Sequence, residues 1–137
     1  MSKINEGSCL CGQVLFAIDG EFETFFLCHC KFCQKDTGSA HGANLFSTKA
    51  KIEWLSGRDK IKTFNLPSTR HVKSFCIECG SALPTEQVEG GGLVVPAGSL
   101  DTDVTLQPRA HIFFSSKVLW YEKLDEISKV DKFPNFK

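Results

Sequence analysis

The sequence carries no excess of either charge: sixteen Lys and Arg balance sixteen Asp and Glu among 137 residues, for a formal net charge of zero. Without a basic surplus there is no general attraction to a phosphate backbone or an anionic bilayer, and nucleic acid is not an expected partner. Long apolar runs are missing too. Ile112-Phe113-Phe114 and Val118-Leu119-Trp120-Tyr121 fall far short of the ~18 residues that cross a bilayer, so no membrane contact is expected. The opening residues, Met1-Ser2-Lys3-Ile4-Asn5-Glu6-Gly7, place an acid and a glycine where a secretory signal would run apolar, which points to a cytoplasmic location. Methionine and tyrosine occur once each. Helical periodicity, repeats of about 20 to 50 residues, low-complexity tracts and Pro- or Ser-rich linkers are wanting.

What is present has the balance of one soluble domain over residues 1–137, with 42% hydrophobic and 23% charged residues. Twelve phenylalanines imply a core filled by rigid rings. Short β-branched or alternating runs separated by turn residues give a mainly β reading with little helix. Residues 14–18, then Asp19-Gly20, then 22–27 read as a hairpin, because Asp-Gly supplies the positive φ of a tight turn. Further strands are expected at 43–47, 51–55, 61–64, 72–75, 93–96, 110–115 and 119–124, with a turn at Gly90-Gly91-Gly92 and a loose tail from Lys132. One helical turn is expected over residues 32–36, ended by Gly38.

Seven cysteines are many for so short a chain, and in a reducing compartment they read as metal ligands or redox groups before disulfides. They form three groups: Cys9-Leu10-Cys11-Gly12, Cys28-His29-Cys30-Lys31-Phe32-Cys33 and Cys76-Ile77-Glu78-Cys79-Gly80. Two of the groups are followed by glycine, as in a metal knuckle. Cys9, Cys11, Cys76 and Cys79 together make a closed four-thiolate site, the arrangement of a structural zinc. Cys28, Cys30 and Cys33 remain as three ligands with an open fourth position, the usual form of a catalytic zinc. Soft thiolates favour zinc over magnesium or calcium, and the two sets call for two zinc ions per chain. The trio also admits other readings: a second structural zinc closed by His29, His41 or His71, or thiols that hold no metal firmly. His29 lies between two ligands in a tight turn, so its ring is expected to point away from the same ion, near the site or exposed.

These stretches, with Gly98-Ser99-Leu100-Asp101, Pro108-Arg109-Ala110-His111-Ile112-Phe113 and Trp120, resemble the glutathione-dependent formaldehyde-activating enzyme family, which includes the domain of centromere protein V, over residues of about 5–122. The resemblance implies a zinc-ribbon-like complex of short antiparallel sheets, with zinc on the same two cysteine sets. It also implies a carbon–sulfur lyase that, read in reverse, condenses glutathione with formaldehyde to S-hydroxymethylglutathione. A thiol such as glutathione and an aldehyde are then the expected partners. Three thiolates on a divalent ion leave the site at a net charge of about −1, which weakens Lewis acidity and favours thiol binding and delivery. Lys31 and Lys35 read as solvated, His111 and Trp120 as core, and Asp101 as a turn cap. Two rivals remain: a non-catalytic zinc-stabilised binding module, and a redox sensor built on Cys28, Cys30 and Cys33.

Overall fold

The computed structural model describes residues 3–87 and 91–134. Of the turn expected at Gly90-Gly91-Gly92, Gly90 lies outside the described residues, while Gly91 and Gly92 have φ of 69° and 95°; the last part of the expected tail, residues 135–137, lies outside too, as do Met1 and Ser2.

Mainly β architecture follows from the alternation in the sequence. β1 (Ile4–Ser8), β2 (Leu15–Asp19) and β5 (Lys51–Ser56) form one antiparallel sheet in the order β1-β2-β5. β2 shows the pattern plainly: Phe16 and Ile18 are fully buried while Leu15 and Asp19 face out, as a pleated strand with one wet face requires. A five-stranded sheet runs β11-β3-β4-β10-β9, made of β3 (Thr24–Cys28), β4 (Gly42–Ser47), β9 (Thr85–Glu86), β10 (Leu93–Pro96) and β11 (Ala110–Ile112). The third sheet joins β6 (Ile61–Asn65), β7 (Val72–Cys76) and β8 (Ala82–Leu83). The core between them gathers Val14, Phe16, Ile18, Phe25, Leu45, Leu83, Leu93 and Val95, with Cys9 and Cys76 at its margin among the buried residues.

α1 (Lys31–Thr37) extends the expected turn by one residue at each end. Cys30 is its N-cap, with extended backbone and a sulfur that accepts the Cys33 N–H, and Gly38 in left-handed conformation closes it by donating to the Gln34 carbonyl.

Several expectations need correction. Asp19-Gly20 is not a hairpin turn: β2 pairs with β1 and β5, and β3 lies in the other sheet, so the dipeptide is a corner between sheets. β11 covers only Ala110–Ile112 and runs parallel to β3, because Phe113 takes φ 53° and breaks the extension. Residues 119–124 form no strand; Leu119–Tyr121 is a 3₁₀ turn and Trp120 is 59% exposed, outside the core. Of the twelve phenylalanines only Phe16 and Phe25 are buried among the described residues, so aliphatic side chains fill most of the interior.

Gly7 lets β1 lie against this core. A Cβ there would fall inside contact distance of Phe16 Cζ and the Ser99 carbonyl oxygen, in a strand bridged to Leu100. Gly7→Ala is therefore expected to cost about 1–3 kcal/mol, read as a lower urea midpoint with unchanged metal content. A midpoint equal to that of the parent chain would contradict this packing.

Candidate metal centres

The first centre draws on two sheets. Cys9 and Cys11 follow β1, and Cys76 ends β7 with Cys79 three residues on. Their four sulfurs lie within 4.8 Å of one another. Two of the separations, Cys9 to Cys11 at 3.6 Å and Cys11 to Cys76 at 3.9 Å, bracket the spacing of about 3.8 Å that sulfurs adopt around a tetrahedral ion at ~2.3 Å.

The two knuckles have matching backbones. Gly12 N–H donates to the Cys9 carbonyl at 3.1 Å and Gly80 N–H to that of Cys76 at 2.7 Å. Val14 N–H donates to Cys9 Sγ at 3.2 Å. Gly12 and Gly80 have φ of 82° and 74°, and a Cβ at either would meet nothing within 4 Å. Backbone angle, not crowding, is what demands glycine at both.

Crowding splits the titration of Cys9, Cys11 and Cys79. Burial opposes ionisation of Cys79, yet the N–H groups of Cys11 and Ser81 and neighbouring thiols bring it down to about 6. At Cys11 the Gln13 N–H favours the thiolate, but burial and the three other sulfurs push it up to about 11. Cys9, although buried, is drawn below the ordinary thiol value by Val14 N–H and by Cys11 and Cys76. Like charges this close cannot all form without a cation, so the donor set fits a soft divalent ion.

The second centre sits where β3 hands over to α1. Cys28 is the last residue of β3, Cys30 caps α1, and Cys33 lies in the first helical turn; their sulfurs also fall within 4.8 Å of one another. The helix start makes the three unequal. Cys33 is pushed up by burial and by the two sulfurs beside it, and Cys28 is raised chiefly by burial. Cys30 goes the other way: burial opposes ionisation, but the Cys33 N–H, both neighbouring thiols and the Phe32 N–H outweigh it. Among the described residues the trio groups without an imidazole nitrogen or carboxylate oxygen. The donors again fit zinc, in a set of three.

Beside the trio lies a group of rings that the sequence reading missed. His29 is fully buried, and its Nε2 is 2.9 Å from His111 Nδ1. The rings of His41, Phe114 and Tyr121 pack around it at centroid distances of 5.0, 5.0 and 4.7 Å. Backbone bonds lock the arrangement: His29 N–H donates to the Ile112 carbonyl at 2.9 Å, and Gln34 Nε2 donates to the carbonyls of His29 at 2.7 Å and Ser116 at 3.0 Å. Burial, then the neighbouring His41, His111 and Lys117 charges, lower the His29 pKa, so its ring is neutral at pH 7. His29 is thus interior rather than exposed. His111, expected in the core, is exposed and holds its place by the bond to His29. The parallel β11–β3 pairing, with His111 opposite Leu27, sets this contact, and no local signal announces it. His71 lies elsewhere, bonded to Asp36 Oδ2 at 2.6 Å. Lys31 and Lys35 are exposed, and Asp101, expected to cap its own turn, instead accepts from the distant Ser8 Oγ at 2.7 Å.

The sequence profile of the glutathione-dependent formaldehyde-activating enzyme family matches residues 4–116. The chain belongs to this family. The match takes in all seven cysteines and the His29–His111 pair, and stops short of Tyr121. The crystal structure of a Rhodobacter sphaeroides protein has a similar fold, with a TM-score of 0.53 and 18% identity, covering 77% of this chain and 98% of that one. No curated protein matches the sequence. No helix among the described residues is long and apolar enough to cross a membrane.

Proposed function

We propose that this member of the family is a zinc-dependent carbon–sulfur lyase, working in a reducing cytoplasm on the adduct of a thiol and an aldehyde, with glutathione and formaldehyde as the first pair to test. Cys28, Cys30 and Cys33 would hold the catalytic zinc, and Cys9, Cys11, Cys76 and Cys79 the structural one. The observation that carries the reading is a three-sulfur set with no fourth protein donor beside it among the described residues, adjoining the hydrogen-bonded His29–His111 pair.

In the synthetic direction a sulfur–carbon bond forms, the carbonyl π bond breaks, and one proton passes from sulfur to oxygen. The zinc, when bound, supplies a site at which a thiol loses its proton near neutral pH. The chain supplies the rest. Cys30, capping α1, is the trio member whose surroundings most favour the anion. His29 Nε2 and His111 Nδ1 share a proton between them, with His111 open to solvent and His29 sealed at the inner end. Phe114 and Tyr121 screen that inner ring from water.

Because the two reactants combine unaided, the test is exchange NMR between glutathione plus formaldehyde and the adduct. Exchange is expected to accelerate in proportion to added chain; a rate no faster than the spontaneous one would overturn the proposal. His111→Phe keeps the aromatic packing but removes the shared proton. It is expected to lower the catalysed rate about 10²-fold or more while the zinc content stays the same. An unchanged rate would remove the imidazole pair from the mechanism.

A further inference from the structure

Cys28 pairs with Gly42 and Phe26 with Asn44, so all four share one face of the five-stranded sheet. His111, paired with Leu27, belongs to the other face. Gly42 is buried and its φ is not positive, so backbone angle does not call for glycine there. Space does. A methyl group at Gly42 would lie 3.2 Å from Asn44 Nδ2 and 3.5 Å from Cys33 Sγ, so the amide nitrogen and the sulfur border the same small space.

Asn44 is half-buried, and neither end of its amide bonds another group among the described residues, yet neither is sealed from solvent. Its cross-strand neighbours, Phe26 on β3 and Pro96 on β10, offer no side-chain partner. Nδ2 is the end turned toward Gly42 and Cys33. Charge dictates that orientation: sulfurs that hold a metal are anionic and attract an N–H, whereas they repel a carbonyl oxygen. A neutral donor with no partner in the chain, beside the trio, suits an oxygen that gains negative charge. Such an oxygen arises as the carbonyl π bond breaks. On the lyase reading, from which this follows, we infer that Asn44 is a further catalytic residue: its Nδ2 donates to the oxygen of the thiol–aldehyde adduct while the His29–His111 pair carries the proton.

The test uses the full chain with its native metal. Asn44→Leu keeps the size of the side chain and removes the donor. Catalysed exchange between glutathione plus formaldehyde and the adduct is expected to fall about 10²-fold, with zinc per chain unchanged. A second measurement does not depend on turnover. The parent chain, ¹⁵N-labelled at asparagine, is titrated with S-hydroxymethylglutathione and with S-ethylglutathione, which carries a methyl group in place of the hydroxyl. The hydroxymethyl adduct is expected to shift the Asn44 side-chain amide saturably, and S-ethylglutathione to leave it in place. An amide unmoved by the adduct, an equal shift with S-ethylglutathione, zinc lost from Asn44→Leu, or an undiminished rate in that variant beside an active parent chain would each overturn the role of Asn44 alone. A parent chain that does not accelerate exchange overturns the lyase reading, and the role of Asn44 with it.

Discussion

Cys76→Ser is expected to leave the chain without a stable fold. Cys76 is fully buried at the end of β7, and its sulfur lies 3.9 Å from that of Cys11, 65 positions earlier. On the proposed assignment the ion in this quartet ties β1 and β2 to the sheet of β6, β7 and β8. Structural zinc sites contribute roughly 10–16 kcal/mol at neutral pH, as much as the ~5–15 kcal/mol that a whole domain has in hand. A serine hydroxyl is a poor replacement for a thiolate. Circular dichroism and amide NMR dispersion should therefore collapse together, with zinc falling below one equivalent. Retained dispersion and an unaltered thermal midpoint would show that the quartet does not brace the fold.

Cys30→Ser should have the opposite profile: a folded chain, one zinc lost, and thiol–aldehyde exchange reduced to the spontaneous rate. The choice of serine matters, because Cys30 is also the N-cap of α1 and its sulfur takes the Cys33 N–H at 3.4 Å. Serine is a strong N-cap, so the helix start survives while the soft donor is removed. Cys30→Ala removes both and is expected to lose a further ~0.5–2 kcal/mol of stability. Comparing the two variants by urea unfolding and exchange NMR separates capping from chemistry. Full exchange activity in Cys30→Ser would exclude Cys30 from the reacting centre.

Both sulfur clusters were legible because the cysteines come in local groups. Cys9-Leu10-Cys11-Gly12 and Cys76-Ile77-Glu78-Cys79-Gly80 announce themselves by spacing and by a glycine that the backbone angle demands, and Cys28, Cys30 and Cys33 by being left over. Strand cores such as Phe16-Ala17-Ile18 and Leu93-Val94-Val95 showed through their apolar pattern for the same reason. What escaped was pairing. Asp19-Gly20 marks a reversal, but whether the next strand returns beside the last depends on which sheet needs Phe25 and Cys28 facing inward, and β1 had already taken the free edge of β2. The His29–His111 contact was hidden likewise, since it joins residues 82 apart through a parallel register that no turn dictates. Trp120 looked like core by composition alone. It follows the left-handed Phe113 in a stretch of 3₁₀ turns without sheet partners, where the Phe114 and Tyr121 rings turn toward His29 and the Trp120 ring is left 59% exposed.

The partition of seven sulfurs into four and three is tested most directly by counting zinc per chain in the parent protein and in Cys28→Ser, purified identically under reducing conditions. Two equivalents falling to one, with the amide spectrum still dispersed, is the expected result. One equivalent in both proteins would contradict it, leaving the trio without an ion and the proposed reaction without its centre.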